Sequence, residues 1–228
     1  MSNTVPALPT IAIDGPAVSG KSSVGRSLAS HIGYRFLDTG LMYRAATWNA
    51  IKNGVDVSDP AAVVQAIERI DFAVSDGGTG ENLIVVNGED VTNHLHAPTV
   101  DDSVSSVASV GRVREIMVAE QRRLASGGAI VIVGRDIGTI VIPEAPLKIY
   151  LTATARTRAN RRYRDFILEG TEIEFEDILR SMEQRDLIDS SRENSPLRIA
   201  DDARVVDTDK LTFDEVVNHL VELAKEIL

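Results

Sequence analysis

The chain has no cysteine, which excludes disulfide cross-links, thiolate catalysis and cysteine-ligated metal centres. Histidine is scarce too. His94 and His96 flank Leu95 in a loop-like stretch, and His31 and His219 fall in helical patterns, so no histidine metal site or histidine catalyst is expected. No apolar run approaches the roughly 20 residues that a membrane span requires. The segment Met1 to Pro9 has neither a basic start nor a long apolar stretch, so no signal peptide is expected. Positive charge is in deficit: the net charge is −10 and the pI is near 4.9. That balance argues against nucleic acid and anionic membrane as partners. The expectation is a soluble, cytoplasmic, monomeric protein that acts on small molecules.

What is present is more pointed. A length of 228 residues and 43% hydrophobic content suit one domain with insertions, or two small ones, around a sizeable core. The few basic residues are mostly arginine, 19 against 5 lysines, and 14 of the arginines fall between Arg112 and Arg198. Guanidinium forks grip phosphate oxygens bidentately, so clustered arginine in an acidic chain points to local anion pockets.

The strongest local signal is Gly15-Pro16-Ala17-Val18-Ser19-Gly20-Lys21-Ser22, followed by Ser23. It follows the apolar run Ile11-Ala12-Ile13 and opens a helix with Val24, Leu28, Ala29 and Ile32 on one face. This is the G-x-x-x-x-G-K-[ST] phosphate loop. Its glycines let several N–H groups converge on one anion, Lys21 places a cation on the outer phosphates, and the Ser22 hydroxyl can ligate Mg²⁺. Asp14, just before the loop, either helps set the loop or the metal shell or only caps the turn.

Apolar strands alternate with amphipathic helices, the pattern of a parallel α/β sheet covered on both faces. Strands are expected at Thr10–Ile13, Arg35–Leu37, Ala129–Val133, Leu147–Leu151 and Arg204–Val206. Helices are expected at Lys21–Ile32, Leu41–Lys52, Pro60–Arg69, Val100–Ser109, Arg112–Ser126, Ala155–Glu169, Phe175–Asp186 and Thr212–Ile227. Gly33, Gly127 and Gly128 occupy C-cap positions, and Thr212 with Glu215 forms a capping box. Phe72 to Val91 breaks the rhythm: two β-rich runs flank Asp76-Gly77-Gly78-Thr79-Gly80, and Asn87-Gly88 offers a second turn, which reads as a small inserted antiparallel meander.

Four further motifs carry charge to strand ends or helix faces. Asp38-Thr39-Gly40-Leu41-Met42-Tyr43-Arg44 opens a helix after the second strand, where α/β sheets bind ligands. Gly134-Arg135-Asp136-Ile137-Gly138 follows a strongly apolar strand, and such a charged pair is costly to desolvate unless it works or pairs. Arg158, Arg161 and Arg162 share a helical face, either as a lid closing over a triphosphate or as a solvated helix paired with acids such as Asp165 and Glu169. Arg185, Asp189 and Arg192 fall on one stripe if their helix continues that far, to hold a nucleotide or to form a surface salt-bridge ladder.

These motifs, together with Pro196-Leu197 and Val206-Asp207-Thr208, resemble the bacterial cytidylate kinases in order and spacing from about Thr10 to the C-terminus. The resemblance implies a P-loop α/β fold with a five-stranded parallel sheet. It implies a kinase core at residues 1–40 and 110–228, a nucleoside-monophosphate insert at 41–109 containing the small antiparallel sheet, and a helical lid at about 154–170. It implies transfer of a phosphoryl group from ATP, with Mg²⁺, to CMP or dCMP. The phosphate loop with Arg158, Arg161 and Arg162 would take ATP, and Ser22 the metal. Arg44 and Arg135 would hold the CMP phosphate, with Thr39 and Tyr43 beside them. Ser105, Arg114 and Arg192 would read the cytosine, Arg185 and Asp189 would lie at sugar and phosphate, and Asp136 beside the substrate. Lys21, Arg135, Asp136 and Arg185 are the expected catalytic residues. Two other readings stay open: a shikimate- or gluconate-type small-metabolite kinase, and a nucleotide-dependent switch without catalysis.

Overall fold

The computed structural model describes residues 9–75, 81–168, 170–192 and 194–228. The glycine-rich turn Asp76–Gly80, the first eight residues and Glu169 lie outside the described residues. Five apolar segments build the central sheet: β1 (Thr10–Asp14), β2 (Arg35–Asp38), β6 (Ile130–Gly134), β7 (Leu147–Thr152) and β8 (Arg204–Asp207). They lie in the order β2-β6-β1-β7-β8, and every pairing is parallel. Strand periodicity sorts the side chains. Ile11, Ile13, Val131 and Val133 face α1 (Lys21–Ile32) and α8 (Phe213–Lys225). Ala12, Leu37, Ile130 and Ile132 face the layer formed by α2 (Thr39–Lys52), α3 (Pro60–Ile67), α4 (Pro98–Ser109) and α5 (Gly111–Ala125).

The break in rhythm is a meander of β3 (Phe72–Ser75), β4 (Leu83–Val86) and β5 (Glu89–Asp90), antiparallel and packed on α2 through Ile84, Val86 and Val91 against Ala45. Asn87 and Gly88 both have positive φ, 52° and 83°, as a tight two-residue hairpin turn requires. Asn82 fastens the meander to the core: its Nδ2 donates to Phe36 O (2.7 Å) and its Oδ1 accepts from Asp38 N (2.6 Å).

The helices start and stop largely where caps dictate. Asp38 accepts from Gly40 N at 2.9 Å, so α2 begins at Thr39 rather than Leu41. Gly33 closes α1 with φ 70°, and the Thr212–Glu215 box opens α8. α5 closes on Ser126, just before Gly127 and Gly128. Two helices cross the C-terminal side of the sheet, α6 (Ala155–Leu168) and α7 (Phe175–Ser191), joined by Ala159, Ile178 and Met182. α7 continues past Asp186, where the sequence pattern ends, because nothing between Leu187 and Ser191 breaks a helix. It stops where Arg192 turns to an extended conformation (ψ 141°) ahead of Pro196.

Gly25 lies where α1 touches the sheet. A Cβ there would sit 2.6 Å from Val133 Cγ1 and 3.2 Å from Phe36 Cε2. Gly25→Val therefore overpacks the interface, and denaturant unfolding is expected to register a loss of about 1–3 kcal/mol.

Candidate active site

The strands deliver their C-terminal residues to one rim. β1 runs into the phosphate loop, where Gly15 passes so close to β7 that a Cβ would lie 2.1 Å from Leu151 O. Gly20 turns the chain into α1 at φ 91°. Lys21 is buried and its Nζ donates to Pro16 O at 3.0 Å. Burial presses its pKa well below the lysine range, and the Arg135 and Arg185 charges act in the same direction. Ser22 Oγ donates to Asp38 Oδ2 at 2.5 Å, while Ser23 points outward from α1. Ser19 Oγ is buried with no hydrogen-bond partner among the described residues. A hydroxyl and a carboxylate side by side at the phosphate loop are hard oxygen donors, a set that suits Mg²⁺.

Asp14 does not cap its own turn. Its two carboxylate oxygens accept from Ile137 N and Gly138 N, both at 2.8 Å, and so hold the turn that follows β6. Burial, more than the nearby Asp136 charge, raises its pKa to about 6 against the pull of these hydrogen bonds and of Lys21.

The motif residues Thr39, Tyr43, Arg44, Arg135, Asp136, Arg185, Asp189 and Arg192 surround one cleft of about 510 Å³. Thr39 Oγ1 donates to Val133 O (2.9 Å), which seats the start of α2 on β6. Arg44 donates to Leu95 O (2.9 Å) and pairs with Asp101 at 2.5 Å. Arg135 Nε donates to Asp189 Oδ2 at 2.9 Å, and Arg192 Nη1 stands 3.5 Å from the other Asp189 oxygen. Burial alone would raise the Asp189 carboxyl, but Arg135, Arg192 and Arg185 outweigh it and hold it below the ordinary range. Arg185 is pushed down to about 10, by burial first and then by Arg135. Arg114 pairs with Asp136 at 2.5 Å, donates to Ala108 O, and lies over the Tyr43 ring at 5.2 Å. Burial pushes the Tyr43 hydroxyl up to about 12. Ser105 lines the same cleft from α4. Tyr43 OH, Arg114 Nε, Arg185 Nε and Arg192 Nη2 are buried with no hydrogen-bond partner among the described residues, which leaves polar capacity at the cleft wall.

The arginines of α6 divide. Arg162 lines the cleft, 3.7 Å from Asp101 and over the Phe166 ring. Arg158 and Arg161 lie outside the cleft lining. Arg158 donates to the Ala17 and Ala153 carbonyls and clasps Asp186, and Arg161 donates to Thr208 O (2.8 Å) and, at 3.4 Å, to Ser19 O. Arg156 and Arg164 are exposed. Sequence reasoning gave no role to Asp38, Asp101 or Asp186. Asp38 carried a signal, a carboxylate at a strand end immediately before a helix start. Asp101 had none, because it sits in an unremarkable polar helix.

A central-strand phosphate loop, this strand order and an arginine-walled cleft beside the loop define a P-loop phosphotransferase. A gluconokinase from Sinorhizobium meliloti 1021 shares the fold, with a TM-score of 0.50 and 16% identity, over 97% of this chain and 94% of that one. The chain belongs to the cytidylate kinase family, whose sequence profile matches residues 11–226. It is 45% identical to a cytidylate kinase from Rhodococcus opacus strain B4, over 95% of this chain and 94% of that protein. It is 44% identical to one from Streptococcus uberis, over 96% of each. Among the described residues, no helix is long and apolar enough to cross a membrane.

The raised Asp14 pKa has a signed consequence for stability. Between the ordinary carboxylate pKa of 3.8 and about 6, the folded state holds a proton that the unfolded state has lost, so this group's contribution to stability falls as pH rises across that window. Asp14→Asn removes the titration. The stability of the variant relative to the parent is expected to shift in the variant's favour by about 2 kcal/mol between pH 4 and pH 7, mostly below pH 6, in parallel urea melts.

Proposed function

We propose that this chain transfers the γ-phosphoryl group of ATP to CMP and dCMP, giving the diphosphates. A bond forms between a CMP phosphate oxygen and the γ-phosphorus as the bond to the ADP oxygen breaks. That oxygen is already anionic at neutral pH, so the residues position and neutralise rather than abstract a proton. The phosphate loop and Lys21 take the triphosphate. Mg²⁺ would be held by Ser22 beside Asp38, and when bound it neutralises phosphate charge. Arg44, Arg135 and Arg185 meet the acceptor phosphate, with Thr39 and Tyr43 beside them. Asp189 meets the sugar. Ser105, Arg114, Asp136 and Arg192 line the place for the base. Residues 41–109 act as the monophosphate-binding insert, and α6, with Arg162 facing the cleft, acts as the lid.

The single observation that carries this reading is the wall of the cleft opposite the loop. There the buried Arg114–Asp136 pair offers donors and an acceptor side by side next to Arg192, the edge pattern that a cytosine needs. A small hydroxy acid such as shikimate or gluconate has no base edge to meet Arg114 Nε and Arg192 Nη2, the buried donors there that lack a partner among the described residues.

Initial rates with ATP and Mg²⁺ against CMP, dCMP, UMP, AMP, GMP, shikimate and gluconate test the reading. CMP and dCMP are expected to lead. A purine monophosphate or a metabolite as best acceptor, or no turnover with any of them, overturns it. Arg192→Met is expected to lower kcat/KM for CMP by a factor on the order of 100 while the KM for ATP changes little, because a site built to hydrogen-bond a base suffers when a buried partner is lost. If the loss fell on ATP instead, the α7 stripe would belong to the donor.

A further inference from the structure

The phosphate loop is held in a conformation that it would not choose alone. Val18 is β-branched yet sits at φ 57°, in the left-handed region that costs such residues most. The loop also cradles an anion only while its N–H groups face inward. In a planar trans peptide the carbonyl points opposite to the N–H, so the loop carbonyls must be held outward.

Arg158 meets that need. Its side chain is 3% exposed, and Nη1 donates to Ala17 O at 3.1 Å, the carbonyl of the peptide that carries the Val18 N–H. Nε donates to Ala153 O at 3.0 Å, at the start of α6. The outer edge of the guanidinium is clasped by Asp186 of α7, with Nη1 3.2 Å from Oδ1 and Nη2 on Oδ2. The Val18 side chain packs on the Ala159, Ile178 and Met182 cluster that joins the same two helices. The strained residue and the carbonyl before it are thus both fixed by α6 and α7.

We propose that Arg158 and Asp186 are a positioning pair for the donor site: Asp186 orients the guanidinium, the guanidinium holds the Ala17 carbonyl outward, and the loop keeps its anion-binding form. Asp186 does not line the cleft, whereas its neighbours Arg185 and Asp189 do. One turn of α7 therefore serves the acceptor with one face and the donor loop with another. The inference rests on the phosphate loop being the ATP site of the proposed reaction.

Asp186 makes the test selective, because a direct Arg158–ATP contact and a positioning role predict opposite results. Asp186→Asn keeps the shape and breaks the charged clasp. ATP affinity is measured by calorimetric titration of the full chain with Mg·ATP, alongside KM for ATP and CMP, kcat and a thermal melt. The expected result is about a tenfold or larger rise in the ATP dissociation constant, equivalent to about 1.4 kcal/mol, with KM for CMP within about threefold of the parent. Unchanged or tighter ATP binding would mean that Arg158 is a direct ligand, or that the pair is indifferent to the loop, and would overturn the proposal. Equal loss for ATP and CMP would overturn it as well. Arg158→Lys is the second variant, which keeps the charge but lacks the fork. It is expected to show the same ATP-selective loss, and full ATP affinity in this variant would also overturn the pair. Calorimetry separates this from the functional reading. A parent chain that binds ATP but phosphorylates no cytidine nucleotide would refute the proposed reaction and leave the pair testable.

Discussion

Positive charge that cannot spread into water governs this molecule. Lys21, Arg135 and Arg185 are gathered at the C-terminal rim of the sheet, close enough that Arg135 and Arg185 help press the Lys21 pKa down and Arg135 helps press down that of Arg185. Such a cluster scatters unless carboxylates hold the arginines around it in place. Asp189 takes Arg135 and Arg192, Asp136 takes Arg114, and Asp101 takes Arg44. Each pair is partly or wholly buried, so removing one partner would strand the other in a low-dielectric site. The arrangement leaves the donors oriented before any anion arrives, which is how electrostatic preorganisation spares the cost of reordering during a reaction. The paradox of an acidic chain with a phosphate-seeking cleft dissolves here: the −10 net charge is a sum over the whole chain, while Arg44, Arg114, Arg135, Arg162, Arg185 and Arg192 line one cleft.

The sheet makes that gathering possible. Parallel strands all end on the same side, so β1, β2 and β6 present Asp14, Asp38 and the Gly134-Arg135-Asp136 turn to a single rim. Asp14 then ties the turn after β6 to the strand that precedes the phosphate loop, and Asp38 caps α2 while it accepts from Ser22. Short-range geometry and long-range charge are fixed by the same few carboxylates.

What was legible in the sequence was local. The phosphate loop, the strand alternation, the Gly33 cap, the Thr212–Glu215 box and the Asn87-Gly88 turn all depend on neighbours a few residues away, and the structure has each of them. The charged motif residues at the strand ends also converge on one cleft, because parallel strands all end on the same side of the sheet. Pairings across the fold were not legible. Asp186 reaches Arg158 from another helix, Arg161 finds Thr208, and Asp101 lies between Arg44 and Arg162, and no periodicity announces these. Arg158 and Arg162 look equivalent on a helical wheel. The structure separates them because the phosphate loop passes under one and the cleft opens beside the other. The added turns of α7 were hidden for a related reason: the serines at its end, poor helix formers in isolation, bond back to the carbonyls of Asp186 and Leu187.

The side chain of Asn82 has a consequence beyond fastening the meander. β2 is an outer strand of the sheet, and its free row of N–H and C=O groups is a template on which a foreign strand could add. By giving one hydrogen bond to Phe36 and taking one from Asp38, the Asn82 amide imitates a single peptide unit of a sixth strand and occupies that template. The opposite margin, β8, has no such plug among the described residues. It is protected instead by brevity and by charge at both ends, Arg204 and Asp207, around the exposed Val205. The two margins of the sheet thus resist aggregation by different means, one by mimicry and the other by gatekeeping charge.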